Sequence, residues 1–488
     1  MPYWLGSCSD DYKMKSHTLL RTIALLSLTL ATGTAAAAGR ATPMPPDADR
    51  DLARDILKEL IAINTTHEHG STAAAQVMRQ QLLAAGYPAE DVLFLAPADK
   101  PTKGNLVVRI HGKGHGPAVL FIGHLDVVEA HREDWSTDPF ELVEQDGWFF
   151  GRGTLDMKGG DAAMMESLIR LGREKFVPAH DVIVAFTADE EAGGDANGPA
   201  FLLKDHRDLI EAGLVLNLDG GGGALVHGER QYLRLGTSEK VYATFSAETT
   251  SPGGHGSLPG PDNAIYRLAD GLGRLEAYRF PVMTTATTRA SFQQRAALTS
   301  GSEHDDLLAV ASESPDPEAA KRLSSSSVGY NAQLHTTCVA TLISGGHAEN
   351  ALPQRARATI QCRMMPTDNV ENVQAQLVAA LNDPKITLTL DAPPVLSPES
   401  PPTKEILAKV GRVAHSMWPG VPIVPTMATG FSDGRQTRSA GMPTYDVSGL
   451  WGDVEDNRAH GRDERIGVQA YYESVEYTYR LIKAFGAR

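Results

Sequence analysis

The chain has 488 residues, of which 42% are hydrophobic and 22% are charged. This composition is close to the globular average and excludes a wholly disordered or membrane-embedded protein. At ~100–200 residues per domain, the length predicts two or three domains. The formal net charge of −15 argues against nucleic acid or an anionic membrane surface as the main partner.

The first 38 residues have the pattern of a secretory signal peptide. Lys13, Lys15 and Arg21 precede an apolar stretch, residues 23–31, which an Ala-rich segment follows. The apolar stretch is well short of the ~20 residues that span a bilayer. We therefore predict cleavage after Ala38, export to the periplasm or the medium, and no membrane span in the mature chain. A buried N-terminal helix is the alternative interpretation.

Cys338 and Cys362 are the cysteines that follow this segment. They are too few for a disulfide framework, and their spacing is not that of a metal site. Each lies in a strand-like apolar run, and a hairpin centred near residue 350 would place them opposite one another. The sequence allows either a disulfide or two buried thiols.

The hydrophobic pattern predicts alternating helices and strands over the first half of the chain. The expected helices cover residues 49–63, 73–85 and 160–174, and the expected strands cover residues 105–111, 118–122, 181–187 and 213–218. Such alternation is typical of crossover units on a largely parallel sheet.

The pattern changes near Lys240. Strands are predicted at residues 241–247, 337–344, 357–363 and 386–390, with helices at 263–277 and 370–381, which together fit a small α+β sandwich. A Ser- and Ala-rich stretch with helical fragments, residues 284–328, reads as an insertion that forms a lid element or an interface. The first pattern resumes near Pro401. The predicted division is therefore 39–239 and 396–488 for a catalytic domain, with 240–395 inserted into it.

Polar side chains follow the predicted strands at the points where the strands end. Parallel sheets place their ligand sites at the carboxyl ends of strands. The candidates are His124 and Asp126 after one strand, Asp156 before a helix, Glu190 and Glu191 after another strand, Asp219 after a third, and His460 near the C-terminus.

Histidine nitrogens and carboxylate oxygens are common zinc ligands, and two zinc ions that share a bridging carboxylate need about five such groups. Asp126, two residues after His124, is expected to accept the second imidazole N–H and to fix the ring. Glu190 and Glu191 point in different directions in an extended segment, so that one can bind metal while the other faces the substrate as a base.

These motifs resemble those of the dinuclear zinc exopeptidases that include carboxypeptidase S, glutamate carboxypeptidase, aminoacylases, acetylornithine deacetylase and N-acyl-amino-acid hydrolases. The resemblance rests on His124-Leu125-Asp126, Gly151 to Gly160 around Asp156, Asp189-Glu190-Glu191, Asp219 and His460. It spans nearly all of the mature chain.

The resemblance implies a role for each of these residues. One zinc is expected on His124 and Asp219, the other on Glu191 and His460, with Asp156 bridging and Glu190 as general base and acid. Co²⁺ or Mn²⁺ are the expected substitutes. The implied fold is α/β, a mainly parallel-sheet zinc-binding domain with an inserted ferredoxin-like lid that can mediate a homodimer.

Further residues of the lid and its surroundings match positions that contact substrate in the family. His255, in the segment Ser251 to Gly256, matches a transition-state histidine commonly supplied across a dimer. Asn350 and Arg363 match substrate-carboxylate positions, and Gly430 matches a substrate-contacting loop. The long insertion resembles the carboxypeptidase S and N-acyl-amino-acid hydrolase branch rather than the glutamate carboxypeptidase type.

The predicted function is hydrolysis of an amide bond next to a free carboxylate, in a small peptide or an N-acyl-amino acid. A catalytically inactive, metal-bound protein that binds the same compounds is the alternative. A serine hydrolase lacks support, because no Gly-x-Ser-x-Gly segment occurs where a strand meets a helix.

Overall fold

A computed structural model of the chain describes residues 42–192, 194 and 196–487. The predicted signal peptide, residues 1–38, lies outside the described residues. Among the helices that are described, none combines the length and the apolarity needed to cross a bilayer.

Helices and strands alternate in the first part of the chain, as the hydrophobic pattern predicts. The helices are α1 (Asp47–Ala62), α2 (Thr72–Ala84), α3 (Lys158–Arg173), α4 (Gly198–Asp205) and α5 (Arg207–Ile210). The strands are β1 (Val92–Leu95), β2 (Asn105–Ile110), β3 (Val119–His124), β4 (Val143–Gln145), β5 (Trp148–Phe150), β6 (Val182–Thr187), β7 (Leu214–Asn217), β8 (Gly222–Val226) and β9 (Glu229–Glu239).

The remaining elements fall into a middle and a final group. The middle group comprises β10 (Val241–Thr250), β11 (Gly254–His255), α6 (Ala264–Ala277), α7 (Ala286–Ala296), α8 (Ser302–Val310), α9 (Pro317–Ser326), α10 (Val328–Leu334), β12 (Thr337–Gly345), β13 (Ala351–Leu352), β14 (Arg355–Met364), α11 (Val370–Leu381) and β15 (Ile386–Leu390). The final group comprises α12 (Lys404–Met417), β16 (Ile423–Ala428), α13 (Gly434–Ser439), β17 (Thr444–Asp446), β18 (Trp451–Asp453), β19 (Arg465–Gly467) and α14 (Val468–Gly486).

The larger sheet has the strand order β1-β2-β6-β3-β7-β17-β9-β8-β18, and β16 pairs with β9. At its centre β6, β3, β7 and β17 run parallel. Every residue of β3 and β6 is buried, as expected for strands that are covered on both faces. The prediction of an α/β fold with a mainly parallel sheet is confirmed.

Helices cover both faces of this sheet. In α1 the apolar residues recur at helical spacing, and Ile56, Leu57 and Leu60 are buried in one core with Phe121 of β3. Leu120, the neighbour of Phe121, points to the opposite face, where a second core includes residues of α4 and α5. The alternation of side chains along β3 therefore divides the core into two layers.

The smaller sheet is antiparallel, with the order β12-β14-β10-β15. Helices α6 and α11 pack against it, and Leu268, Val373 and Leu377 share a core with Phe245 and Ile360. Apart from the short β11 and β13 and the inserted helices, the chain order is strand, helix, strand, strand, helix, strand. This is the order of the ferredoxin-like motif. The domain boundaries at residues 239 and 395 remain predictions.

The insertion between α6 and β12 is more regular than the sequence predicts, because it folds into α7, α8, α9 and α10 around an apolar core of its own. Its contacts are to the larger sheet. Thr287 of α7 forms a 2.6 Å hydrogen bond with Thr237 of β9, and the side chain of Gln333 donates to the carbonyl of Met427 in β16 at 2.9 Å.

Cys338 and Cys362 form a disulfide, which resolves the two alternatives that the sequence allows. The two residues are direct partners in the antiparallel pairing of β12 with β14. The predicted hairpin therefore brings them together, and the bridge fastens an edge strand to the strand that carries Arg363.

Loss of this disulfide is expected to lower the free energy of unfolding by about 3 kcal/mol, because the bridge closes a loop with a sequence separation of 24 residues. Urea unfolding with and without reductant measures the effect. The double variant Cys338→Ser/Cys362→Ser is the control, since its unfolding should not respond to reductant. Coincident curves for the oxidised and reduced native protein would contradict the expectation.

Candidate metal centre

The carboxyl ends of three neighbouring strands meet at one edge of the larger sheet. His124 is the last residue of β3, Asp219 follows β7 by two residues, and the turn with Glu190 and Glu191 follows β6. These strands are parallel neighbours in the order β6-β3-β7. Side chains that are far apart in sequence therefore lie together.

Two groups of donor atoms form at this edge, and in each group the atoms lie within 4.8 Å of one another. In the first group, His124 Nε2 is 3.1 Å from Asp156 Oδ1 and 3.5 Å from Asp219 Oδ1. In the second group, His460 Nε2 is 3.1 Å from Asp156 Oδ2 and 2.9 Å from Glu191 Oε1. Asp156 therefore belongs to both groups, with a different oxygen in each.

The carboxylates outnumber the imidazoles, and the pKa values reflect this. Burial acts to lower the pKa of His124, but hydrogen bonds to Asp156 and Asp219 outweigh it and raise that pKa well above its ordinary value. Hydrogen bonds to Asp156 and Glu191 raise the pKa of His460 to about 10. The centre therefore has an excess of negative charge and favours positive charge among its oxygens.

Glu190 lies beside the two groups and belongs to neither. Its side chain is buried, and its Oε1 has no hydrogen-bond partner among the described residues. Burial raises the pKa of Glu190 well above its ordinary value, and the charges of Asp219 and Asp433 add to the increase. A buried carboxyl group of this kind is suited to hold and release a proton.

The predicted role of Asp126 is wrong in one respect. His124 Nδ1 pairs with the main-chain carbonyl of Asp126 at 3.0 Å, whereas the nearest carboxylate oxygen is 3.8 Å away. The carboxylate instead accepts the main-chain N–H groups of Glu190 and Glu191, each at 3.0 Å. Asp126 thus fixes the imidazole through its backbone and the glutamate turn through its side chain.

The substrate-contacting residues implied by the resemblance do not join this cluster. His255 is exposed in β11, which pairs with β13, and its Nδ1 accepts the N–H of Ser257 at 3.2 Å. Asn350 is exposed nearby, and its carbonyl accepts the N–H of Gly256. In the described part of the chain, no hydrogen bond or ion pair connects either residue with the two donor groups.

Arg363 and Gly430 lie closer to the larger sheet. The Arg363 guanidinium is 4.8 Å from the ring centroid of Tyr242 and 5.3 Å from that of Phe431. Gly430, the neighbour of Phe431, is exposed and has open space around its Cα. The structure therefore places these two residues on opposite sides of one aromatic ring's chain segment and its contact.

Known proteins share this arrangement of the chain. A family model described as Peptidase family M20/M25/M40 matches residues 120–484, which is most of the sequence. The chain belongs to this family. The resemblance inferred from the motifs is confirmed, and with it the prediction of a hydrolase, while the inactive alternative receives no support.

Two curated relatives illustrate the similarity within the family. The human N-fatty-acyl-amino acid synthase/hydrolase PM20D1 is 27% identical over 375 residues, which cover 75% of this chain and 73% of that protein. The probable carboxypeptidase S-like 2 of Dictyostelium discoideum is 28% identical over 380 residues, which cover 75% of this chain and 71% of that protein.

The fold is also that of solved family structures. The M20 family metallo-carboxypeptidase Sso-CP2 from Sulfolobus solfataricus superposes with a TM-score of 0.67 at 17% identity, covering 89% of this chain and 99% of that one. Human carnosine dipeptidase 1 superposes with a TM-score of 0.61 at 16% identity, covering 90% and 98%.

Members of the family are metal-dependent and typically dinuclear, and the donor atoms of this chain fit two divalent cations. Each group combines an imidazole nitrogen with carboxylate oxygens, which are the ligands expected for such ions. The two groups share one carboxylate, as two adjacent metals require.

Glu464 is a supporting residue that the sequence did not reveal. Its buried carboxylate accepts the N–H groups of Gly153, Leu155 and Asp156 at 3.0, 2.7 and 2.9 Å, and it pairs with Arg152 at 2.7 Å. These contacts fix the loop that presents Asp156. The only sequence signal is the position of Glu464 four residues after His460.

The turn that carries Glu190 is also held from outside the centre. The backbone of Asp189 lies in the left-handed region at φ 60°, and its buried carboxylate accepts from Lys103 Nζ and pairs with His67 Nδ1. Lys103 also donates to the carbonyl of His67 at 2.7 Å. This network connects the loops after α1 and before β2 with the turn.

The substitution Lys103→Met is expected to lower the free energy of unfolding by roughly 3 kcal/mol, because it leaves the carboxylate of Asp189 buried without its ammonium partner. Urea unfolding measures the change. Lys113→Met, at an exposed lysine just beyond β2, is the matched control and should be nearly neutral. Equal stability of the two variants would show that the ion pair contributes nothing.

Proposed function

We propose that the protein is an exported two-zinc hydrolase of amide bonds that lie next to a free carboxylate. The proposal rests on one observation, namely that two donor groups share Asp156 and leave the buried Glu190 without a ligand role. His124 and Asp219 hold one ion, Glu191 and His460 hold the other, and Asp156 bridges them. Co²⁺ or Mn²⁺ can replace zinc in such donor sets.

When bound, the two ions supply Lewis-acid activation of water and of the substrate carbonyl. Glu190 accepts the proton of the attacking water at a carboxylate oxygen and returns it to the nitrogen of the leaving amine. Asp126 keeps Glu190 in place, because its carboxylate binds the main-chain N–H. Burial of Glu190 excludes bulk water, so the proton stays between the two reacting groups.

Substrate recognition is assigned to the side of the centre that faces the smaller sheet. Arg363 binds the free carboxylate of the substrate, and Asn350 and Gly430 contact the rest of its amino-acid part. Support comes from the printed activities of the relatives, since one is named for N-fatty-acyl-amino acids and another for carboxypeptidase S. We infer small peptides or N-acyl-amino acids as substrates.

We further propose a homodimer in which His255 of one chain completes the centre of the other and stabilises the oxyanion. Two features support this assembly. His255 is exposed and has only local contacts, and the edge strand β12 exposes Val339, Leu342 and Ile343. Sedimentation of the native protein and of Leu342→Arg tests the dimer, and a monomeric native protein with full activity would exclude it.

The experiment that tests the function is metal add-back followed by a substrate panel. Apo protein receives Zn²⁺, Co²⁺ or Mn²⁺ and is assayed with dipeptides, acetyl-amino acids and long-chain acyl-amino acids. We expect metal-dependent release of a free amino acid from at least one class, with the ratio among the classes giving the branch. Two bound ions without turnover of any class would overturn the proposal.

A further inference from the structure

Two guanidinium groups flank the same aromatic ring next to the metal centre. The Arg435 guanidinium lies 3.9 Å from the ring centroid of Phe431, and the Arg363 guanidinium lies 5.3 Å from it. Tyr242 contacts the same ring edge to face at 5.9 Å and also lies under Arg363. Arg363 belongs to β14 of the smaller sheet and Arg435 to α13 beside the larger sheet. The ring therefore brings together cations from both sheets.

Neither arginine is neutralised within the described chain. No carboxylate oxygen of the described residues lies within 4.0 Å of either one, and a buried N–H nitrogen on each has no hydrogen-bond partner there, Nη1 on Arg363 and Nε on Arg435. Burial lowers the pKa of the Arg363 guanidinium, and the charge of Arg435 adds to this effect.

Other buried arginines of the chain are paired. Arg152 pairs with Glu464 at 2.7 Å, and Arg438, one turn after Arg435 in α13, lies 3.0 Å from Glu239. Desolvated cations are costly unless an anion compensates them. The contrast indicates that Arg363 and Arg435 are kept for an anion that the chain itself does not provide.

The segment that carries Phe431 is anchored at the metal centre. Asp433 accepts a hydrogen bond from Thr187 at 2.6 Å, and Thr187 ends β6 just before the turn with Glu190. Asp433 also contributes to the raised pKa of Glu190, which shows how near the two carboxyl groups are. An anion held between the two arginines is thus adjacent to the proposed general base.

We propose that Arg435 is a second carboxylate-binding residue that acts together with Arg363, with Phe431 as the platform between them. A carboxylate has two oxygens, and each guanidinium offers one unpaired N–H donor, so the two arginines can share one substrate carboxylate. The proposal rests on the proposed function and extends it, because it makes the free carboxylate a selected group that is recognised from both sheets.

The test compares a free acid with its neutral counterpart. kcat/KM is measured for N-acetyl-L-methionine and N-acetyl-L-methioninamide with the zinc-loaded native protein, Arg435→Gln, Arg363→Gln and Arg435→Lys. We expect Arg435→Gln to lower kcat/KM for the acid by about 10- to 100-fold, mainly through KM, and to leave the amide almost unchanged. Arg435→Lys should recover part of the loss, since it restores charge without the planar group.

Arg357→Gln is the matched control, because Arg357 lies on the same strand as Arg363 but pairs with Ser246. It should retain the native preference for the acid. Binding of N-acetyl-L-methionine to Glu190→Gln, with and without Arg435→Gln, gives a readout by calorimetry that does not need turnover, and the added substitution should weaken binding by a similar factor.

Equal losses for acid and amide in Arg435→Gln, or unchanged binding in the calorimetric pair, would overturn the role of Arg435. Failure of the proposed function has a different signature. In that case the native protein would hydrolyse neither compound nor any member of the wider panel, whatever residue occupies position 435.

Discussion

Glu190→Gln is expected to lower kcat by about 10²- to 10⁴-fold while the protein keeps both metal ions. The range is the usual contribution of a general base that also returns the proton to the leaving group. Glutamine has nearly the same shape, and Glu190 belongs to neither donor group, so the ligands should not move. Steady-state kinetics and metal content by mass spectrometry of the same sample measure the two properties.

The control for this prediction is Glu174→Gln, a carboxylate on the far side of α3 that pairs with Lys483 and Tyr479. It should retain native turnover. Native activity in Glu190→Gln would exclude Glu190 as the base, whereas loss of metal from that variant would assign it a ligand role instead.

Replacement of Asp156 by Ala is expected to remove both metal ions and at least about 1,000-fold of the activity. Asp156 is the residue common to the two donor groups of the described chain, with one oxygen in each. The ions contribute several kcal/mol of transition-state stabilisation, and 1.36 kcal/mol corresponds to a factor of ten in rate. Metal stoichiometry after dialysis and activity under zinc add-back are the measurements.

Asp219→Ala is the matched comparison, because Asp219 belongs to one group alone. It should lose one ion and retain the other. If Asp156→Ala and Asp219→Ala lost the same single ion, Asp156 would not be a bridging ligand.

Much of this centre could be predicted from the sequence, since it depends on strand ends. An apolar run such as Val119 to Ile122 identifies a buried strand, and the polar residue at its end, His124, is then bound to lie at the sheet edge. Parallel neighbours place Asp219 and the glutamate turn at the same edge. The disulfide was accessible by the same logic, because hairpin symmetry pairs residues 338 and 362.

The supporting contacts could not be predicted, because they depend on loop conformation. Whether Asp126 meets His124 through its carbonyl or its carboxylate is decided by the chain direction after β3, where the strand geometry ends. Glu464 and Lys103 act on segments hundreds or tens of residues away, and no local pattern links them to Asp156 or Asp189. The roles implied for His255 and Asn350 concern an assembly, which a single chain does not display.

The inserted helices were predicted as fragments within an irregular stretch. Local signals for their starts are present, since Asp316 precedes Pro317 and caps α9, and Thr285 and Thr288 cap α7 reciprocally. What the sequence does not indicate is the surface against which they pack, because their short apolar faces would fit either sheet.

The position of these helices affects how freely the two sheets can move. The chain passes between the sheets at Lys240 and again near Ser400, and Ser400 binds the carbonyl of Thr237, so both crossings lie along one line. Two adjacent crossings alone would form a hinge. The inserted helices leave the smaller sheet's chain and dock on β9 through Thr287, which adds a strut away from that line. The two arginines should therefore be preorganised before substrate arrives, with little ordering cost left for binding.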